Sequence, residues 1–507
     1  MKTTGGLSSP DGLRRGAGVS AKRPSRGVAK GHQDRASAAA GRQDGAASAL
    51  KHELAQKGVK YCLAAYVDIH GIPKAKAVPI DHFERMMRGS ELFTGAALDG
   101  LGQSPHDDEL AVLPDARAVT ILPWQPNVAW APGNLHYHEK PWPMCSRNVL
   151  QRQVDRLARH GLTFNLGVEC EIFLVRRDGD VLRPANPLDT LPKAAYDVVG
   201  LLENLPWLDE VTEYMNKLGW QVHSFDHEDA NSQFEFDFAY TDALTMADRF
   251  VLWRMMMKEV SRRHGWEATF MAKPYADRTG SGAHFNMSLS DTKSGTNVFG
   301  DSSDKRNCGL SRTAYQFLAG VLRHAPAIAA VTCPTVNSYK RLIKTGSMTG
   351  YTWAPIFISY GGNNRTHMMR VPMLRPHVEG DAKTHKGVYL SSARIECRAV
   401  DPSMNPYLAA AMMLAAGIEG IEGDLDPGEP KNFNMYEMSD SELAAHNVKS
   451  LPRTLLEAIE AFAADPFSKE VFGEELYQAY IALKEREWWS FHNTVSHWEI
   501  DNYLTRF

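Results

Sequence analysis

Residues 167–174 read GVECEIFL. A strand sends successive side chains to opposite faces, so Glu169 and Glu171 share one face. Three later segments follow the same design. In QFEFDFAY (233–240), Glu235 and Asp237 share a face, and Phe234, Phe236 and Phe238 take the other. In SGAHFNMSL (281–289), His284, Asn286 and Ser288 share a face. In ARIECRAV (393–400), Arg394, Glu396 and Arg398 lie opposite Ile395, Cys397 and Ala399. Taken singly, each is an ordinary amphipathic strand with one solvated face.

Taken together, they point to a site. Their polar residues are carboxylates, an imidazole and arginines, the groups that bind hard cations and phosphates. Residues two apart on a strand have Cα atoms about 6.5–7 Å apart. That spacing lets Glu169 and Glu171 address two neighbouring metals, which lie roughly 3.5–4 Å apart in two-metal sites. Without cations, two adjacent glutamates repel and one pKa rises. Further candidates stand close by in the chain: Glu228 and Gln233, the run Asn337–Arg341, and a Gly/Asn loop at 361–365 followed by Arg370. Gly280-Ser281-Gly282, just before His284, lets backbone N–H groups approach a ligand.

Around this region the chain organises simply. Tyr61–Val78 reads as two strands around a turn at His70–Pro73. Leu122–Pro143 holds five prolines and reads as a connection between domains. Helices are expected over Asn148–His160, Thr245–His264, Leu455–Ala464 and Gly473–Trp489, with the Met run of the second packing in the core. The expected domains are residues 1–52, 53–140 and 141–507.

The 507 residues suffice for two to four domains. A net charge of -4 gives no electrostatic reason to expect nucleic acid or an anionic membrane as partner. Six scattered cysteines without CxxC spacing argue against a zinc site and a disulfide framework, and fit a reducing, cytoplasmic setting. No run of about 18 apolar residues occurs. Residues 1–52 are Gly-, Ala-, Ser- and Arg-rich, and read as a disordered basic extension, a start codon placed early, or a transit peptide.

The ordered set GVECEIFL, EDANSQFEFDF, TGSGAHFNMSL, NSYKRL, NNRTHMMRVP and ARIECRAVDPSMNPYLAAAMML resembles the glutamine synthetase superfamily from about residue 55 to the C-terminus. It is most similar to the type III-like group, which includes glutamate–methylamine ligases (γ-glutamylmethylamide synthetases). The resemblance implies an α+β chain, with a small N-terminal β-grasp domain and a C-terminal catalytic α/β domain. It implies a homododecamer with active sites between neighbouring subunits. It also implies ATP as co-substrate and two or more Mg²⁺ or Mn²⁺ ions per site.

By position, the family's metal ligands correspond to Glu171, Glu228 and Glu235 in one site and Glu169, His284 and Glu396 in the other. Arg341 and Arg398 match residues that hold glutamate and the transferred phosphate. Arg365 and Arg370 match residues on the nucleotide phosphates. Gly280 matches a backbone contact to glutamate; Asn286, Ser288 and Arg394 fall in the ATP-binding region. Asp99 matches an acid lent by the neighbouring subunit to the amine site. The implied reaction makes γ-glutamyl phosphate from glutamate and ATP, and an amine then attacks it.

The chain departs from the family in three places. Ammonia-using members carry Tyr-Glu-Ala-Pro after the NSYKRL loop, whereas here the loop reads IKTGSMTGYTWAP and Trp353 stands where the Glu would be. Thr279 replaces an Asn and Asn286 replaces a His. An indole packs on a methyl group and holds a cation by about 0.5–2 kcal/mol. Trp353 therefore favours methylamine as the substrate. The alternatives are ammonia, another small amine, or an inactive relative, and the last predicts eroded metal ligands.

Overall fold

The computed structural model describes residues 45–344, 352–374 and 390–507. The expected N-terminal extension lies, as far as residue 44, outside these; residues 45–56 are helical. The expected hairpin is present as β1 (Tyr61–Val67) and β2 (Pro73–Pro79), paired antiparallel. Gly71 turns it at a φ of +79°, and a Cβ there would lie 3.0 Å from the Asn405 Cα. A left-handed backbone pressed against another chain segment takes glycine for both reasons.

The hairpin joins β3 (Leu92–Phe93), β4 (Leu110–Pro114), β5 (Thr120–Leu122), β6 (Gln125–Tyr137) and β7 (Lys140–Pro141) in a sheet ordered β2-β1-β6-β4-β3, with β5 and β7 also on β6. β1 and β6 run parallel. The Pro-rich passage read as a connection is thus mostly the central strand of this sheet. It tolerates Pro132 because β6 changes partners there: Ala65 pairs with Pro132 at the end of the β1 ladder, and β4 takes over at Gly133. A missing N–H costs little where one ladder ends and the next begins.

The second sheet comprises β8 (Leu162–Asp178), β9 (Val181–Pro184), β10 (Val222–His227), β11 (Gln233–Phe238), β12 (Thr241–Asp242), β13 (Glu267–Thr269), β14 (Ala283–Asp291), β15 (Phe357–Gly361), β16 (His367–Arg370), β17 (Ile395–Cys397) and β18 (Lys449–Ser450). Its order is β10-β11-β8-β14-β17-β16-β15-β18, with β9, β12 and β13 also on β8. All four segments with paired polar residues are therefore neighbours in one sheet.

The helix expected over 245–264 runs Ala243–Arg263, and Met256 and Met257 are fully buried within it. The helix Pro406–Glu422 is almost wholly buried. Its cap residue Asn405 accepts from the N–H groups of Tyr407 and Leu408, and donates to the Asp68 carbonyl at 2.8 Å. Arg254 reaches the Gly71 carbonyl. The β1–β2 turn is thus held by the helix Ala243–Arg263 and by the cap of Pro406–Glu422. Apolar side chains of both sheets, including Ala65, Trp130, Phe164 and Phe236, belong to one continuous core.

Candidate active site

Strand register builds the site. Glu169 of β8 pairs with His284 of β14, and Glu171 with Glu235 of β11. Glu396 of β17 pairs with Asn286 on one side and Arg370 on the other. Side chains of directly opposed residues point the same way, so the polar teeth of five strands converge. The reverse face is core: Cys170, Phe236, Phe285 and Cys397 are fully buried.

These teeth line a cleft of about 530 Å³ that includes Glu169, Glu171, Glu228, Glu235 and His284. Gly280, Arg341, Trp353, Arg365, Arg370, Arg394 and Arg398 line it too. Glu396 reaches in from beneath: ligand atoms of Glu169, His284 and Glu396 lie within 4.8 Å of one another. Glu235 links two further clusters at the same separation, one with Glu171 and His284 and one with Asp226 and Glu228. The expected grouping of Glu171, Glu228 and Glu235 thus spans two adjoining clusters. Asp226, which sequence reasoning passed over, joins the second.

The electrostatics of the cleft are those of a cation site. Burial and then the charge of Glu171 push the Glu228 carboxyl up to about 8. Burial, followed by Glu228, Glu169 and Glu171, pushes Glu235 well above the carboxylate range. Burial and Glu228 bring Asp226 to about 7. Glu169 goes the other way: burial would raise it, but the hydrogen bond and charge of His284, with Asn286 and Arg398, hold it at about 2. Crowded carboxyls that resist ionising are relieved by a bound cation. Carboxylate oxygens with one imidazole suit a hard divalent ion such as Mg²⁺ or Mn²⁺.

Arginines crowd the other wall. Arg398 and Arg370 both pair with Glu396, Arg398 at 2.7 Å. Arg341 and Arg398 are about 5% exposed, and Nη1 of Arg341 and Nε of Arg398 have no hydrogen-bond partner among the described residues. Buried guanidinium N–H groups without acceptors call for an anion. Arg394 donates to Asn286 Oδ1 at 2.9 Å, and Asn286 donates to Glu169 at 2.8 Å, which joins the arginine wall to the acidic one.

Gly280 is required by space. A Cβ there would lie 2.3 Å from the Ala272 carbonyl oxygen and 2.8 Å from Arg341 Cγ. Gln233 is buried and donates both to Glu171 (3.1 Å) and to the Gly280 carbonyl (3.2 Å), so one amide aligns an acid and the glycine turn. Trp353 is 42% exposed, adopts a φ of +54°, and offers its carbonyl to Arg398 Nη2 at 3.5 Å. Residues 345–351 of the same loop lie outside the described residues.

Two expected site residues stand apart. Asp99 lies in the N-terminal region, exposed and paired with His70 at 3.1 Å, and does not line the cleft. Ser288 extends the His284–Asn286 face, where Asn165 donates to it at 3.5 Å, and is likewise not among the lining residues. Asp226 had a visible signal, since it alternates with Glu228 in FDHEDANSQF. Tyr196 and Asp237 also line the cleft, and nothing in the spacing around Tyr196 marks it.

Residues 143–503 match the family described as glutamine synthetase, catalytic domain. The chain belongs to the glutamine synthetase family. Among relatives within and around it, the glutamate–methylamine ligase of Methyloversatilis universalis is 40% identical over 455 residues, covering 90% of this chain and 98% of that protein. A glutamine synthetase of Rhizobium leguminosarum bv. phaseoli is 38% identical over 451 residues, covering 88% and 97%. A solved structure described as a GmaS/ADP complex superposes with a TM-score of 0.80 at 37% identity, covering 90% of this chain and 99% of that one. The mixed α/β architecture and the family expected from the motifs both hold.

Proposed function

We propose that the protein is an ATP-dependent ligase that joins the γ-carboxyl of L-glutamate to methylamine through γ-glutamyl phosphate, releasing ADP and phosphate. The observation that carries this reading is a single cleft in which crowded, proton-retaining carboxyls face two buried arginines, each with one nitrogen that has no hydrogen-bond partner among the described residues. Its likeness to a glutamate–methylamine ligase over nearly the full length of both chains supports the amine.

In this reading Glu171, Glu228 and Glu235, with Asp226 beside them, hold one divalent cation, and Glu169, His284 and Glu396 hold another. Bound Mg²⁺ or Mn²⁺ supplies positive charge against the phosphoryl oxygens, the main demand of phosphoryl transfer. Arg341 binds the glutamate carboxylate, and Arg398 reaches the transferred phosphoryl group. Arg365 and Arg370 hold the nucleotide phosphates; Asn286, Ser288 and Arg394 face the nucleotide. Gly280 lets its backbone approach glutamate. Groups held in place before substrate arrives keep the reorganisation that accompanies such a step small.

The amine attacks only when neutral, and methylamine is mostly protonated at pH 7, so a carboxylate must take its proton. Asp99 from a neighbouring copy serves that role in a dodecamer whose sites form between subunits. Trp353 faces the amine with an indole in place of a carboxylate. The N-terminal sheet is read as the β-grasp unit, and the setting as cytoplasmic. Among the described residues all six cysteines are free, and no helix is long and apolar enough to cross a membrane.

The test compares ADP release with methylamine, ethylamine and ammonia by kcat/KM. Methylamine is expected to lead; ammonia ahead by tenfold or more overturns the amine assignment in favour of glutamine synthesis, the activity named for the Rhizobium relative. Replacing Trp353→Glu is expected to move the preference towards ammonia. An unchanged ratio means the indole only packs the loop.

A further inference from the structure

Beside Glu228 lies a buried His–Asp pair that does not line the cleft. His227 is 1% exposed and Asp189 6%. His227 Nε2 lies 2.8 Å from Asp189 Oδ2, and Nδ1 lies 2.8 Å from the backbone carbonyl of Glu228. A carboxylate and a carbonyl only accept, so the ring donates from both nitrogens. Asp189 is in turn fixed by the Asn231 side chain at 2.8 Å and by the Ser232 N–H. Phe234 packs edge-on to the imidazole at 5.1 Å, and Gly200 leaves it no slack, since a Cβ there would lie 2.9 Å from His227 Cδ2.

Two lining segments of the cleft meet at His227, one through its ring and one through its main chain. The His227 side chain grips the main chain of Glu228. The His227 carbonyl accepts from the Tyr196 N–H at 2.8 Å, and Tyr196, at a φ of +62°, also lines the cleft. Asp189 brings in a third segment, residues 186–191, through Asn231, which also donates to the Leu191 carbonyl at 3.0 Å. Without the ring, the Glu228 carbonyl would lose that donor, and the turn would keep its ties farther along, at Ala230, Asn231 and Ser232.

We infer that His227, oriented by Asp189, is a positioning residue that sets the cation affinity of the cluster containing Glu228. The inference rests on the proposed role of Glu228 as a metal ligand. Residues that orient a ligand from behind typically change metal affinity 10- to 100-fold when replaced. A pair that merely stabilises the fold would lower thermal stability and affect both cation clusters alike, or neither.

The experiment titrates Mn²⁺ into the intact, nucleotide-free enzyme and resolves the tighter and weaker classes of site by electron paramagnetic resonance. Wild type, Glu228→Gln, Asp189→Asn and His227→Gln are compared, with circular dichroism reporting the fold. The expected result is that Glu228→Gln weakens one class. Asp189→Asn and His227→Gln then weaken that same class about 10- to 100-fold and spare the other. If Glu228→Gln weakens a class while both brace variants leave it unchanged, the inference is wrong and the metal site stands. If the brace variants weaken both classes equally, the pair is structural and the inference is wrong. If Glu228→Gln changes neither class, the metal reading of Glu228 falls and the brace falls with it. His227→Gln and Asp189→Asn break the same contact from opposite ends, so the loss of one variant to misfolding leaves the other to decide.

Discussion

Three acidic side chains of the cleft contribute in the same direction to the pH behaviour of the metal-free protein. Glu228 is held up at about 8 and Asp226 at about 7, both chiefly by burial, whereas in the unfolded chain they ionise near the ordinary carboxylate range. Glu235 is raised in the same direction. The folded state therefore keeps protons that the unfolded state releases. Its stability from these groups is present at low pH and drains away as pH rises from the ordinary carboxylate range through about 8. A divalent cation displaces those protons and removes the penalty. Melting temperature measured with and without Mg²⁺ is expected to show a larger gain at pH 8 than at pH 6, and an equal gain at both would contradict the cluster. Glu235→Gln removes one crowded charge, and is expected to raise the metal-free melting temperature at pH 8 while shrinking the Mg²⁺ gain. At this scale the sequence was readable because carboxylates, imidazole and arginines have few other reasons to share a strand face. Tyr196 and Asp189 stayed hidden because their roles come from contacts between segments far apart in the chain, which no local period encodes.

At the scale of elements, the register of β8 with β11 and β14 is the device that assembles the site. A slip by one residue would turn Glu169 and Glu171 into the core. Phe236 guards that register: it is fully buried, with Trp207 at 5.8 Å and Trp253 at 6.4 Å between ring centres. Phe236→Ala is expected to cost about 3–5 kcal/mol of stability and to reduce metal binding, read by thermal melting and Mn²⁺ titration. Gly280→Ala should act differently. Its new Cβ would displace the Ala272 carbonyl or Arg341, so KM for glutamate should rise more than KM for ATP. Alternation made the strands legible, and the 3.6-residue period placed the helix Ala243–Arg263 to within two residues. The Pro-rich passage misled because prolines forbid a helix interior and are rare in central strands, yet Pro132 sits where β6 exchanges ladders. Only the pairing partners reveal that exemption.

The whole molecule places Asp99 away from the cleft, on a turn-rich stretch whose partner His70 belongs to the hairpin clasped through Gly71 and Asp68. If a neighbouring copy supplies this acid, two inactive variants can repair each other. Asp99→Asn and Glu396→Gln, each expected to be nearly inactive alone, are predicted to regain activity when refolded or co-expressed together. About a quarter of the sites would then draw both intact residues from random neighbours in a closed ring. No recovery from mixed assemblies would rule out a neighbouring copy as the source of this acid.

Trp353 occupies a stretch, residues 352–356, that belongs to no strand or helix, whereas the acids facing it sit on or beside paired strands. If Trp353 sets the choice of nucleophile, that choice lies outside the paired strands and meets the phosphoryl-side groups through the Trp353 carbonyl on Arg398. Thr352, Ala354 and Pro355 are buried and Trp353 is the exposed residue of the stretch, so position 353 is where a lineage could exchange one amine for another with least disturbance to the fold. A library randomised at position 353 alone should accordingly yield many folded members and a wide spread of amine preferences, which is the signature of a module open to selection.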